Sequence, residues 1–517
     1  AQTRWLLLAE TIRDGGRNEY TRRALATAAT DEDAEVRALA AVLAGRLEDD
    51  DALRALLADA DGRVAGEAAL CAGIAARAAL ADDLSTRLAE ADPQVAGGAA
   101  YGLLLVRAEG ASARIADRLR SCADAELRDR LLHVAALAGD EPVRQAVREV
   151  LAATPAGQFP PAAALLAAGR LGLDEAGPHV LALLRAAPAW PAGLRESQLA
   201  AALEAAEALD LPVRREARDI CQALWSPDLP HALSAAARLL GRQAARADQP
   251  DEPSRADVVA TLRQAAVFET TTATRPAGVP PQSIHTPRAS AAAAVALWLL
   301  GDEVADLYVR DVTALGQTLP GDYVAWHLGL TGAPEAFELG LAMLPALDDP
   351  QPVHNDDERS AGAMLLALAA RGDEQRQAAA ERIRSRLAGG RLGPERNFQV
   401  RGAYHCALAL LGDEAGLAEA RGLLEIVEFP RRRVLTALWG AGERPALDWL
   451  LWNTQVSHQQ IAVLLAEFGL GEVLARVAPS LPRVDVAADP DLRRWQAQIL
   501  QDTWAIRRES VRLEPPR

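Results

Sequence analysis

The chain has 517 residues, with 55 basic and 71 acidic side chains and a formal net charge of −16. That balance argues against a general nucleic-acid binder, which needs a basic face to displace phosphate counterions, although a local arginine cluster can do this on an acidic chain. Half of the residues are hydrophobic yet only 4% are aromatic, so the core is built from Ala and Leu; these are strong helix formers and the composition predicts an all-α protein.

The opening residues 1–10 hold too short an apolar run for a signal peptide, and no uncharged stretch approaches the ~20 residues that cross a bilayer, so no membrane insertion is expected. The first residue is Ala1, which leaves room for a longer parent chain. Every basic side chain is Arg, the mark of a GC-rich coding sequence. Cys71, Cys122, Cys221 and Cys406 lie far apart inside Ala/Leu-rich runs with no CxxC pair, the pattern of reduced thiols in a cytoplasmic protein.

Along the first third, Asp33-Ala34-Glu35-Val36-Arg37, Asp61-Gly62-Arg63-Val64, Asp92-Pro93-Gln94-Val95 and Asp124-Ala125-Glu126-Leu127-Arg128 recur at intervals of roughly thirty residues, the signature of a repeat array. Asp accepts the free N–H groups two or three residues on and meets the positive end of the helix dipole. Val36, Leu39, Ala40 and Leu43 then follow at the spacing of one helix face. The same start is read at Asp210-Leu211-Pro212-Val213-Arg214, Asn397-Phe398-Gln399-Val400-Arg401 and Asp489-Pro490-Asp491-Leu492-Arg493. A second signature, Gly-Asp-Glu at 139–141, 301–303, 372–374 and 412–414, predicts a left-handed Gly that ends one helix and an acidic start for the next.

These Asp-x-x-Val-Arg starts and Leu-Gly-Asp-Glu turns resemble the HEAT-repeat family, including its short bacterial members, over most of the chain. The resemblance implies an α-solenoid of stacked antiparallel helical pairs. It implies little about activity, since such arrays serve as scaffolds, adaptors, transport receptors and, in some cases, enzymes. The reading divides the chain into a regular array over 1–245, an irregular Pro-rich connection and loop over 246–289, and a divergent Trp-rich array over 290–517.

Catalytic motifs are missing: there is no His-Glu dipeptide, no HExxH helix, no P-loop and no GxSxG elbow, so neither a metal nor another cofactor is expected. Candidate recognition residues concentrate in the second half. His354 stands before Asn355-Asp356-Asp357-Glu358, which reads either as a capping box or as a charged recognition patch or cation site. Arg401, Tyr404 and His405 share one helical face, with Arg401 at the position that in the family makes a ladder of ion pairs to the cap Asp. Arg431, Arg432 and Arg433 form a triple-Arg run at a helix start, against the dipole. Trp449 and Trp452, near His458, complete the set as core residues or as hot spots of a groove. The expected function is a non-catalytic scaffold or adaptor that binds another protein through its concave face and C-terminal half. The alternative is a HEAT-like enzyme or enzyme-assisting module, of lyase or glycosylase type, in which His327, His354 or His405 meets a carboxylate or Arg in a closed concave pocket.

Overall fold

The computed structural model describes residues 2–14, 16–155, 158–189, 196–223, 229–246, 253–266, 287–313, 318–331, 333–346, 356–389, 395–426, 430–451, 461–462, 465 and 470–514. Among them the regular structure is entirely helical, in two rows. The inner row runs Ala34–Leu47, Gly62–Ile74, Pro93–Leu105, Ala125–Ala138, Ala162–Leu171, Glu196–Ala208, Pro230–Ala244, Pro287–Leu299, Thr318–Gly329, Asp356–Ala369, Phe398–Leu410 and Arg431–Gly440. Each after the first packs on its predecessor in the row, and each packs on the outer α-helix that precedes it in sequence.

The caps explain why these helices start where they do. Asp33, Asp61, Asp92, Asp124 and Asn397 each accept a bond from a backbone N–H two or three residues ahead, at 2.8–3.3 Å. The four Gly of the Gly-Asp-Glu turns all take positive φ, from 68° at Gly301 to 86° at Gly412. Side chains at these positions would strain the turn. The two rows then differ in composition for a geometric reason. Inner helices are covered on several sides, and in Gly62–Ile74 every residue from Val64 onward is buried. Outer helices keep a wet face: Asp50–Leu57 buries Leu53, Leu56 and Leu57 and turns its acids outward.

Small residues let the inner row pack backbone to backbone. A Cβ on Gly73 would stand 2.4 Å from the Cα of Gly102, and one on Gly98 would stand 2.5 Å from the carbonyl oxygen of Gly66. Along the outside, Arg77–Asp50 at 2.6 Å, Arg120–Glu149 at 2.7 Å and Arg148–Glu175 at 3.0 Å tie successive repeats together. These pairs are solvated, so each adds little to stability on its own.

Three expectations change. Asp210 caps no helix; its φ of 54° belongs to the turn after Glu196–Ala208, and the next helix starts at Arg214. Asp489 precedes a helix, yet its carboxylate takes a 2.7 Å bond from Ser197 Oγ instead of capping. Within the stretch read as irregular, Arg255–Ala266 is an outer helix. Ser254 and Asp257 bond reciprocally at its start, and Val258, Leu262 and Ala265 form its buried stripe. The inner row crosses the same stretch without a gap, since a Cβ on Gly241 would lie 2.6 Å from that of Ala296. The Pro-rich loop over 270–286 lies outside the described residues. Among the described residues no helix is long and apolar enough to cross a membrane, and no group of three His, Cys, Asp or Glu side chains converges as a metal would require.

Candidate functional site

The inner face of the first repeats is not empty. The helix Pro490–Arg507 lies on Ala34–Leu47, Gly62–Ile74 and Ala125–Ala138 and also touches Arg444–Leu451 from the far end of the array. It therefore closes the solenoid on itself. Its sequence suits a helix covered on both sides, because Leu492, Trp495, Ala497, Ile499, Leu500, Trp504 and Ala505 are all buried. Trp495 is the anchor toward the N-terminal array. Its ring meets Tyr101 edge-on at 6.1 Å and His133 at 5.9 Å, and the Arg130 guanidinium sits 5.4 Å from its centroid. Trp504 faces the opposite way and donates through Nε1 to Asp448 at 2.9 Å.

The seam around this helix is polar as well as apolar. Gln496 donates to Asp485 at 2.8 Å, accepts from the Asp485 backbone N–H at 2.7 Å, and places its amide nitrogen 3.0 Å from His133 Nδ1. Arg170 pairs with the same Asp485. Burial alone would raise the Asp485 carboxyl, but His133, Arg170 and Gln496 outweigh it and hold Asp485 below the ordinary carboxylate range. One turn before the helix ends, Asp502 faces Glu67, which also accepts from Gln498. Burial, compounded by the Glu67 charge, lifts Asp502 well above its usual value; burial also raises Glu67, and Cys71 shares the spot.

Further acids along the seam behave alike. Burial and the neighbouring Asp489 push Asp129 up to about 6, while burial, with Asp485 nearby, pushes Glu204 up to about 7. A carboxyl whose folded pKa exceeds its unfolded value adds stability that is full below the unfolded value and is lost as pH rises through the folded one. Closure should thus weaken between about pH 4 and pH 7. Asp485, shifted the other way, loses its contribution only in stronger acid. Hydrogen-exchange protection of residues 490–507, measured relative to the intrinsic base-catalysed rate at each pH, should fall toward the alkaline end, and Glu67→Gln should flatten that dependence. Constant or rising protection toward the alkaline end would contradict the assignment.

The residues singled out from the sequence have mixed fates. His354, Trp452 and His458 lie outside the described residues. Arg401 is exposed and stands 6.0 Å from the Phe398 ring, and among the described residues it forms no ladder with a cap Asp. Tyr404 is fully buried, and burial pushes its hydroxyl up to about 12. His405 is half-buried, which lowers its pKa. Arg431 sits 4.7 Å from the centroid of Trp449, and both are half-buried. Arg432 and Arg433 are interior. Arg433 donates to Asp322 at 3.0 Å across the concave side, joining inner helices that are three positions apart in the row. Trp326 and Trp439 are buried as well. Tyr404, Arg432 and Arg433 are thus buried among the described residues of the C-terminal half and are not presented to a partner in this conformation. His327 packs on Tyr323 with ring centroids 4.0 Å apart. Asp356 and Glu358, read as part of a patch, pair with Arg359 and Arg310.

Sequence reading missed Glu67, Tyr101, Arg130, His133, Arg170, Asp485, Trp495, Gln496 and Asp502. The available signal was polarity in the wrong place: Glu67 in an otherwise apolar inner helix, Arg130 and His133 on an inner face, and Asp502 beside Trp504.

No protein-family model matches the chain, and no curated protein does. Among solved structures, it is similar to the UNC-45 chaperone at 13% identity, covering 92% of this chain and 56% of that one, with a TM-score of 0.28. It is similar to Kap121p bound to Ste12p at 14% identity, with 96% and 55% coverage and a TM-score of 0.32. A maize pentatricopeptide repeat protein, PPR10, matches at 13% identity, with 91% and 83% coverage and a TM-score of 0.21. The chain spans about half the length of the first two. Likenesses of this size add nothing to the architecture, which rests on the caps, the Gly stops and the two packed rows. By those features the chain is an all-α solenoid of HEAT-like helical pairs.

Proposed function

We propose that the protein is a non-catalytic protein-binding scaffold whose N-terminal concave groove receives an amphipathic helix, and that Pro490–Arg507 holds this place in the free chain. The observation that supports this reading is the helix itself, seated on several inner helices through a Trp anchor and a seam of polar contacts. Helix-in-groove recognition uses such a row of anchors. Polar seams mark interfaces that separate more readily than permanent apolar ones. The partner would carry an aromatic anchor in the place of Trp495 and amide or acidic groups in the places of Gln496 and Asp502.

A labelled peptide of residues 488–509 tests this in fluorescence anisotropy. It should bind weakly to the wild-type chain, where the cis helix competes, and more tightly to the full chain carrying Trp495→Ala. Adding Arg130→Glu to that variant should abolish the gain. If the peptide binds neither protein, the groove is a permanent core and the reading fails.

A further inference from the structure

At the far end of the seam, the C-terminal ends of Ala34–Leu47 and Gly62–Ile74 meet residues 505–510 around a cavity of about 400 Å³. Its charged lining is Arg17, Arg46, Arg507 and Arg508 against Glu48 and Glu509. Four guanidinium groups around one space is a local excess of positive charge in a chain whose net charge is −16.

Among the described residues, carboxylates pair with two of the four. Arg17 pairs with Glu48 at 2.6 Å, and Arg77 shares that carboxylate at 3.3 Å. Arg508 pairs with Asp448. Arg46 and Arg507 are instead held by backbone carbonyls, those of Ile12 and Ile74, the latter at 2.5 Å. A carbonyl orients a guanidinium without cancelling its charge, and one such bond uses only one of its five N–H donors. Burial lowers the Arg46 pKa, Glu509 pulls it up, and Arg508 and Arg17 push it down, with Asp448 a smaller pull upward. An anion in the cavity would sit among these guanidinium groups.

We propose that this cavity binds a small phosphate-bearing anion of two or more negative charges, clasped between Arg17 and Arg46 of the array and Arg507 and Arg508 of the closing helix. Forked guanidinium donors suit the several oxygens of a phosphate, and Arg is the residue that reads such groups by paired bonds. The space exceeds what one phosphate fills and falls within the ~300–1,000 Å³ range of small-molecule sites, so a phosphate ester or pyrophosphate fits better than the bare ion. Because the lining comes from both sides of the seam, the ligand binds the closed form alone and stabilises it by mass action.

The test is calorimetry and thermal unfolding of the full chain with inorganic pyrophosphate, a nucleoside diphosphate and citrate, each against chloride of equal ionic strength. Saturable binding of pyrophosphate or the diphosphate, with a raised unfolding temperature, is expected. Arg46→Gln should weaken it by about tenfold or more, the scale for removing one of several buried charge contacts. Arg46 also caps a helix end, so Arg17→Gln serves as a second variant; its side chain is 60% exposed and the fold should tolerate the change. A loss of affinity in folded Arg17→Gln would support the site even if Arg46→Gln unfolds. No saturable heat from either phosphate compound, equal binding in the folded variants, or binding of citrate as tight as that of pyrophosphate would overturn the proposal.

Discussion

Replacing Arg433 with Ala should destabilise the C-terminal half by about 3–5 kcal/mol, because removing one member of a buried ion pair strands the other charge. Arg433 and Asp322 are 1% and 7% exposed, so water cannot replace the lost partner. Asp357 adds to the effect: burial raises its pKa and Arg433 pulls it back down, so the variant loses the cation that moderates two acids. The change should appear as a lower urea midpoint in the fluorescence of the buried Trp326 and Trp439. The double variant Arg433→Met with Asp322→Leu should recover most of the loss, since well-packed apolar residues often replace a buried pair at little cost. A single variant with an unchanged midpoint would show that the pair does not link those helices in solution.

Trp495→Ala should be the most damaging single change in the closing helix, at about 3–5 kcal/mol for truncating a buried aromatic. Trp495 is 4% exposed and joins Tyr101, His133 and Arg130 to the helix, so its loss leaves a cavity at the middle of the seam. The expected consequence is local. Exchange and proteolysis should rise across 490–507 and on the inner surfaces of Gly62–Ile74 and Pro93–Leu105, while the outer pairs keep their protection, since repeat arrays are stabilised by nearest-neighbour contacts. Uniform loss of protection along the whole chain would mean that the ring unfolds as one unit.

The caps and Gly stops were legible in sequence because they are local: Asp61 reaches Arg63, and Gly139 needs only its own φ. Closure was not, because Gln498 reaches Glu67 across 431 positions and no periodicity carries that information. Asp489-Pro490-Asp491-Leu492-Arg493 looked like one more repeat start, and it does begin a helix, but that helix leaves the row and crosses the array. The Arg431–Arg433 run was misleading for a related reason. Basic charge at a helix start conflicts with the dipole when judged locally, yet Asp322 from another repeat resolves the conflict for Arg433 and the Trp449 ring covers Arg431. Helix identity follows from neighbours in the chain, whereas the concave side depends on curvature, which is set by the sum of all the packing steps between.

Closure also has a timetable. The inner helices that seat Trp495 are finished by residue 138, while their occupant ends at residue 507. At roughly 5–20 residues per second, synthesis of the intervening chain takes about 20–70 s. For that interval every newly made molecule carries an open groove around Tyr101 and Arg130, so the ribosome-bound chain presents a surface that the finished one hides.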